Sequence, residues 1–235
     1  MPRPALIRYF DRRDRLLPST LGRLLLRHRE EERIEILRRW LPEEETLSIL
    51  DVGCGDGSCL AAALVVPPRF IQLEDISATA LTAAANRLSC EGREVACFAG
   101  DGFRFDVPAA RYDVTLAIGV LDYQTDTRSG LDRLLRRTSG MLIANVPRSG
   151  HPRNWIRRLW FFARGLPFRG LTRGRLRRIL TDIEHPFEIE AGPYEWFLKV
   201  TLAGQPHRTD ATGAAGAVGT ICGTAEAAAA ARTKG

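Results

Sequence analysis

A chain of 235 residues with 45% hydrophobic side chains can bury one large α/β core, and no apolar run nears the roughly 20 residues that a membrane span needs. The net charge of +6 invites an anionic partner, yet lysine occurs only at Lys199 and Lys234, so the surplus is arginine throughout and reads as compositional bias. Five cysteines (Cys54, Cys59, Cys90, Cys97 and Cys222) without C-x-x-C or Cys/His ligand spacing argue against a disulfide framework and a metal site.

The first residues, "MPRPALIRYFDRR", interrupt their apolar positions with charges too often for a signal-peptide core, which fits a cytoplasmic protein, at most peripheral to a membrane. Tyr9 and Phe10 read by position as a lid. From Ser19 to Leu41, Leu21, Leu24, Leu25, Ile34, Leu37 and Leu41 recur at helical spacing until Pro42, which predicts a helical extension over residues 1–45. "TLSILDV" then predicts a buried parallel strand and "SCLAAALVV" a helix. "RFIQLED" reads as strand, Ser77 as the N-cap of the next helix, "EVACFAG" and "YDVTLAIGV" as strands, "SGLDRLLRRT" as helix and "GMLIANV" as the fifth strand.

After Pro147 the alternation breaks. Residues 148–172 carry arginines and aromatics but no acid, which predicts a cap insertion, before "RGRLRRILTDI" resumes as helix. "FEIEA" and "YEWFLKVTLA", joined by "GP", close the domain. The expected fold is α/β: a doubly wound, mostly parallel seven-stranded sheet with an antiparallel last strand, over residues 46–204. The Ala/Gly-rich residues 205–235 read as a disordered tail.

The stretch "DVGCGDGS" ends the first strand, where closely spaced glycines let a ligand approach backbone N–H groups at a helix N-terminus. A dinucleotide fingerprint needs a third small residue where Ser58 stands, and Asp51 and Asp56 would repel a pyrophosphate. A ligand with a cationic end suits the acids better. The motif resembles the (D/E)-x-G-x-G-x-G signature of class I S-adenosylmethionine-dependent methyltransferases.

That resemblance implies S-adenosylmethionine as cofactor and a role for each matching residue. Asp51 would sit near the methionine ammonium, with Gly53, Cys54, Gly55 and Gly57 forming the floor beneath the ligand. In "QLEDIS", Asp75 would take both ribose hydroxyls beside Ile76, with Glu74 as the competing acid. In "CFAGDGFRF", Asp101 would bind the adenine amino group while Gly102 and Phe103 line the ring; a turn-forming "GDG" is the alternative. Ile118 and Gly119 would pass beneath the cofactor, and Leu121, Asp122 and Tyr123 would face the methyl group.

Methyl transfer is an in-line displacement that needs alignment more than a base, so the acceptor is read from exclusions. "LDYQ" stands where the family's amine-modifying members carry (D/N)-P-P-(Y/F), which makes nucleic acid a poor acceptor and resembles the small-molecule branch. The expected reaction is transfer to oxygen of a small or lipid-like molecule, with an RNA-modifying enzyme and a non-catalytic cofactor-binding module as rivals. Asp122 and His151 are the candidate bases, and Tyr123, Trp155 and Tyr194 the candidate acceptor contacts.

In the cap, Trp155, Ile156, Leu159, Trp160 and Phe162 share one helical face opposite Arg157, Arg158 and Arg164. Three readings follow: a helix packed on the domain with solvated arginines, a membrane-surface contact through residues 153–164, or a contact with an anionic acceptor or RNA.

Overall fold

The computed structural model describes residues 20–89, 94–103, 111–163 and 165–202. Tyr9, Phe10, Arg164 and the tail expected from residue 205 lie outside them. Helix α1 (Thr20–Trp40) leads into β1 (Ser48–Val52), α2 (Ser58–Ala63), β2 (Phe70–Asp75), α3 (Ala78–Leu88) and β3 (Glu94–Ala99). Then come β4 (Tyr112–Ala117), a short 3-10 turn (Leu121–Tyr123), α4 (Thr127–Arg136) and β5 (Thr138–Pro147). The chain closes with α5 (Pro152–Phe162), α6 (Arg173–Thr181), β6 (Phe187–Ala191) and β7 (Glu195–Thr201).

The seven strands lie in the order β3-β2-β1-β4-β5-β7-β6. The first five are parallel, while β7 runs antiparallel to both β5 and β6. Successive strand residues face opposite sides, so Ile49 and Ile143 join one apolar layer while Leu50 and Leu142 join the other. Both faces are therefore covered, which is why the parallel strands read as continuous apolar runs.

The helix expected as an extension ahead of the fold belongs to one of these layers. Leu37 and Leu41 pack with Leu60, Ile71 and Val114, and burying Leu37 (1% exposed) is worth about 2 kcal/mol. Arg38 ties α1 to α2 by donating twice to the Ala62 carbonyl, at 3.0 and 2.8 Å, where that helix leaves carbonyls unpaired. Ser77 caps α3 as expected, its hydroxyl accepting from the Ala80 N–H.

Candidate functional site

Beyond β1 the chain turns through Gly53, Gly55 and Gly57, all with positive φ. Gly57 is the N-cap of α2 at φ 71, and a Cβ there would come within 3.0 Å of Ala84. A Cβ on Gly55 would meet nothing within 4 Å, so this is the open face of the loop. The loop is drawn onto the tip of β2: the Gly53 N–H donates to the Glu74 carbonyl at 2.7 Å, and the Gly55 N–H to Asp75 Oδ2 at 2.9 Å. Asp75 Oδ1 accepts from the Ser77 N–H at 2.8 Å.

Asp51 is only 6% exposed, and no hydrogen bond reaches its carboxylate among the described residues. Burial, and then the charge of Asp75, push its pKa up to about 7. A buried acid in this condition is relieved by a cation. The same burial, with Asp51 and Asp75 adding to it, raises the Cys54 thiol well above its usual value, which leaves it a packing group rather than a nucleophile.

The glycine at the end of β4 is held by a separate network. The Gly119 N–H donates to Asn145 Oδ1 at 2.6 Å, and Asn145 Nδ2 donates to Glu195 Oε2. Arg33, from α1, grips Glu195 with Nε at 3.0 Å and Nη2 at 2.8 Å, and its guanidinium lies against Gly119. Burial lowers the Arg33 pKa; Asp122, whose charge opposes this, stands near it together with Arg157 and Tyr123.

None of Arg33, Asn145 and Glu195 was anticipated as a functional position. Asn145, a polar residue inside "GMLIANV", and Glu195, an acid opening an apolar strand, were the available signals; Arg33 looks like any other arginine of α1. Replacing Arg33 by Lys keeps the charge but loses the two-pronged grip on Glu195, so thermal unfolding should show a loss of about 1–2 kcal/mol.

Asp101 Oδ1 accepts from the Phe103 N–H at 3.2 Å, a contact within its own turn. Gly102 lies under Glu74, where a Cβ would come within 2.5 Å of Oε2, and Phe103 is 4% exposed in the core with Leu121 and Leu131. Glu74 itself is taken by Arg137, whose Nη1 donates to it at 2.8 Å, which leaves Asp75 as the acid at the strand tip. Ile76 and Ile118 are half-buried at the ends of β2 and β4.

His151 caps α5, its Nδ1 accepting from the Arg153 N–H at 3.2 Å while its ring meets Tyr194 edge-on. Asp122 is 1% exposed; Oδ2 accepts from Arg157 Nη2 at 3.3 Å, and Oδ1 is buried with no hydrogen-bond partner among the described residues. Tyr123 packs edge-on against Phe161.

The orientation of α5 corrects the reading of a helix packed by its apolar face with solvated arginines. Arg157 turns inward to Asp122 and over the Phe168 ring, and Arg153 lies over Tyr194, whereas Trp155, Ile156, Leu159 and Phe162 are exposed. Of that apolar set, Trp160 alone is half-buried, against Phe161. The polar face is inside because an acid and two aromatic rings wait for it there. Between α5 and α6 a cavity of about 360 Å³ is lined by Arg148, Arg158, Arg169, Arg175, Trp155 and Phe168, among others.

Residues 49–140 match a family model described as a methyltransferase domain. Its span runs from β1 to the start of β5 and takes in the glycine loop and Asp75. The chain has the Rossmann-like methyltransferase fold. The magnesium protoporphyrin IX methyltransferase of Synechocystis PCC 6803, solved with bound SAH (S-adenosylhomocysteine), shares the methyltransferase fold at TM-score 0.64 and 16% identity. That match covers 86% of this chain and 100% of the other.

A Haloferax volcanii methyltransferase in complex with the Trm112 activator matches at TM-score 0.62 and 14% identity, over 83% of this chain and 98% of that one. The small RNA methyltransferase HEN1 matches at TM-score 0.57 and 20% identity, over 72% of this chain and 25% of that one. At such identities the likeness is one of fold. No curated protein matches the sequence significantly. The unpartnered acid of Asp51, the open face at Gly55 and the carboxylate of Asp75 fit S-adenosylmethionine, the cofactor of this methyltransferase fold.

Proposed function

We propose that the chain transfers the methyl group of S-adenosylmethionine to an oxygen of a small or lipid-like acceptor. The observation that carries this reading is Asp51, a buried acid with its pKa raised to about 7 beside a glycine loop open at Gly55. When bound, the cofactor supplies an electrophilic methyl on a sulfonium. Asp51 takes the ammonium of its methionine arm, and Asp75, which also holds the loop, takes the ribose hydroxyls. Burial of both carboxylates keeps water from competing for those bonds.

On the acceptor side, Asp122 would orient a hydroxyl and take up its proton, a role supported by Oδ1 being buried with no hydrogen-bond partner among the described residues. Arg157 holds that carboxylate in position. The cavity between α5 and α6, with Trp155, Phe168, four arginines and Asp126 in its wall, does not include Asp122 or the glycine loop in its lining; it would take an apolar body with an acidic group apart from the reacting hydroxyl.

Calorimetric titration with S-adenosylhomocysteine and with NAD tests the reading. The first should bind and the second should not, and Asp75→Ala should weaken binding by roughly 10- to 100-fold, the worth of hydrogen bonds to a charged group. Binding of NAD alone would overturn it. With methyl-labelled cofactor and cell extract, label should enter the lipid or small-molecule fraction; label in RNA would favour an RNA enzyme, and no label anywhere a binding module.

A further inference from the structure

We propose that the outward face of α5 docks this protein onto an anionic lipid bilayer. Trp155, Ile156, Leu159 and Phe162 are 71%, 71%, 70% and 78% exposed, and their spacing puts them on one stripe of the helix. Among the described residues the only other large apolar side chain so exposed is Val65. Single exposed apolar residues are ordinary; four in one stripe mark an interaction face.

The stripe cannot escape by rotating the helix, because the opposite face is fixed. Asn154, 4% exposed, donates to the carbonyls of Arg148 at 2.9 Å and Tyr194 at 2.8 Å. Arg153 lies 4.4 Å over the Tyr194 ring, Arg157 lies 4.6 Å over Phe168, and Phe161 stacks on Phe168 at 5.6 Å. Turning the apolar stripe inward would break every one of these contacts and expel Arg157 from Asp122.

Charge selects the occupant. The sequence from Arg148 to Thr181 contains no acid, and exposed Arg158, Arg169 and Arg175 line the cavity beside Trp155, outnumbering the one acid in its wall, Asp126. Each arginine near a membrane of anionic lipid contributes about 1 kcal/mol of attraction, and a tryptophan with aliphatic neighbours settles at the depth of the headgroups. A second copy of this chain would instead bring two arginine-rich sets together, each with only Asp126 to offset it. Because Trp155 belongs to both stripe and cavity wall, docking presents the cavity mouth to the lipid. The purpose this serves, collecting a lipid-soluble acidic acceptor, rests on the methyl-transfer reading; the docking does not.

The test is cosedimentation of the full chain with phosphatidylcholine vesicles, with and without phosphatidylglycerol, beside an Ile156→Ser, Leu159→Ser, Phe162→Ser triple variant. Wild type should bind the anionic vesicles at least about tenfold better than the neutral ones. The triple variant should lose about a hundredfold while binding S-adenosylhomocysteine as wild type does. Failure of wild type to bind anionic vesicles, or equal binding by the variant, would overturn docking. So would light scattering that shows a dimer split by the triple variant, which would make the stripe an interface between copies. Since cofactor binding is read separately, loss of docking with cofactor binding intact leaves the methyltransferase reading standing.

Discussion

Replacing Glu74 with alanine should cost about 3–5 kcal/mol of folding stability, read as a lower urea midpoint at unchanged slope. Glu74 is 4% exposed and Arg137 8%, and Glu74 accepts hydrogen bonds from both Nη atoms of Arg137, while the Gly102 carbonyl takes one more. Burial works against the Arg137 charge, and Glu74 more than offsets it, leaving the pKa above the usual arginine value. Without Glu74 the guanidinium cannot shed its proton and stays charged inside the fold. The double variant Glu74→Met, Arg137→Met should recover most of the loss, because no charge is left behind. A single-variant loss under about 1 kcal/mol would mean that water reaches the pair.

Cofactor affinity should fall about tenfold per pH unit as the pH drops below 7. Asp51 in the free protein has its pKa raised to about 7, and a bound ammonium favours the ionised acid, so binding expels the proton. Calorimetry in buffers of different ionisation heat should record that release near neutrality. The sign for stability is opposite. A folded-state pKa above the unfolded value means the free protein loses stability as the pH climbs from about 4 to 7, at up to about 1.4 kcal/mol per unit. Asp51→Asn should therefore raise the melting temperature of the free protein at pH 8 while weakening S-adenosylhomocysteine by roughly 10- to 150-fold, the loss of about 1.5–3 kcal/mol. A variant that binds as tightly as wild type would remove Asp51 from the site.

Much of this architecture was legible in the chain. The alternation of apolar runs and helical periods yields the sheet, "DVGCGDGS" marks the loop, and Ser77 announces its helix, because each depends on neighbours in sequence. That Glu74 and Asp75 face opposite ways was legible from strand alternation, and Arg137 occupies the Glu74 side. The orientation of α5 was not legible: a helical wheel says which residues share a face, but Asp122, Phe168 and Tyr194, which decide the inward side, lie outside the helix. Arg33 was hidden twice over, by the chain's uniform use of arginine and by the 162 residues that separate it from Glu195.

That last separation bears on how the protein is made. The glycine at the end of β4 is steadied through Asn145 by Glu195, and Glu195 in turn holds Arg33. A nascent chain still short of β7 has already produced the glycine loop and both acids, yet it leaves Arg33 buried against nothing and Asn145 half-satisfied. Fragments halted during synthesis, or trimmed before Glu195, lack the partner that holds Arg33 and Asn145, and should bind S-adenosylhomocysteine more weakly than the full chain.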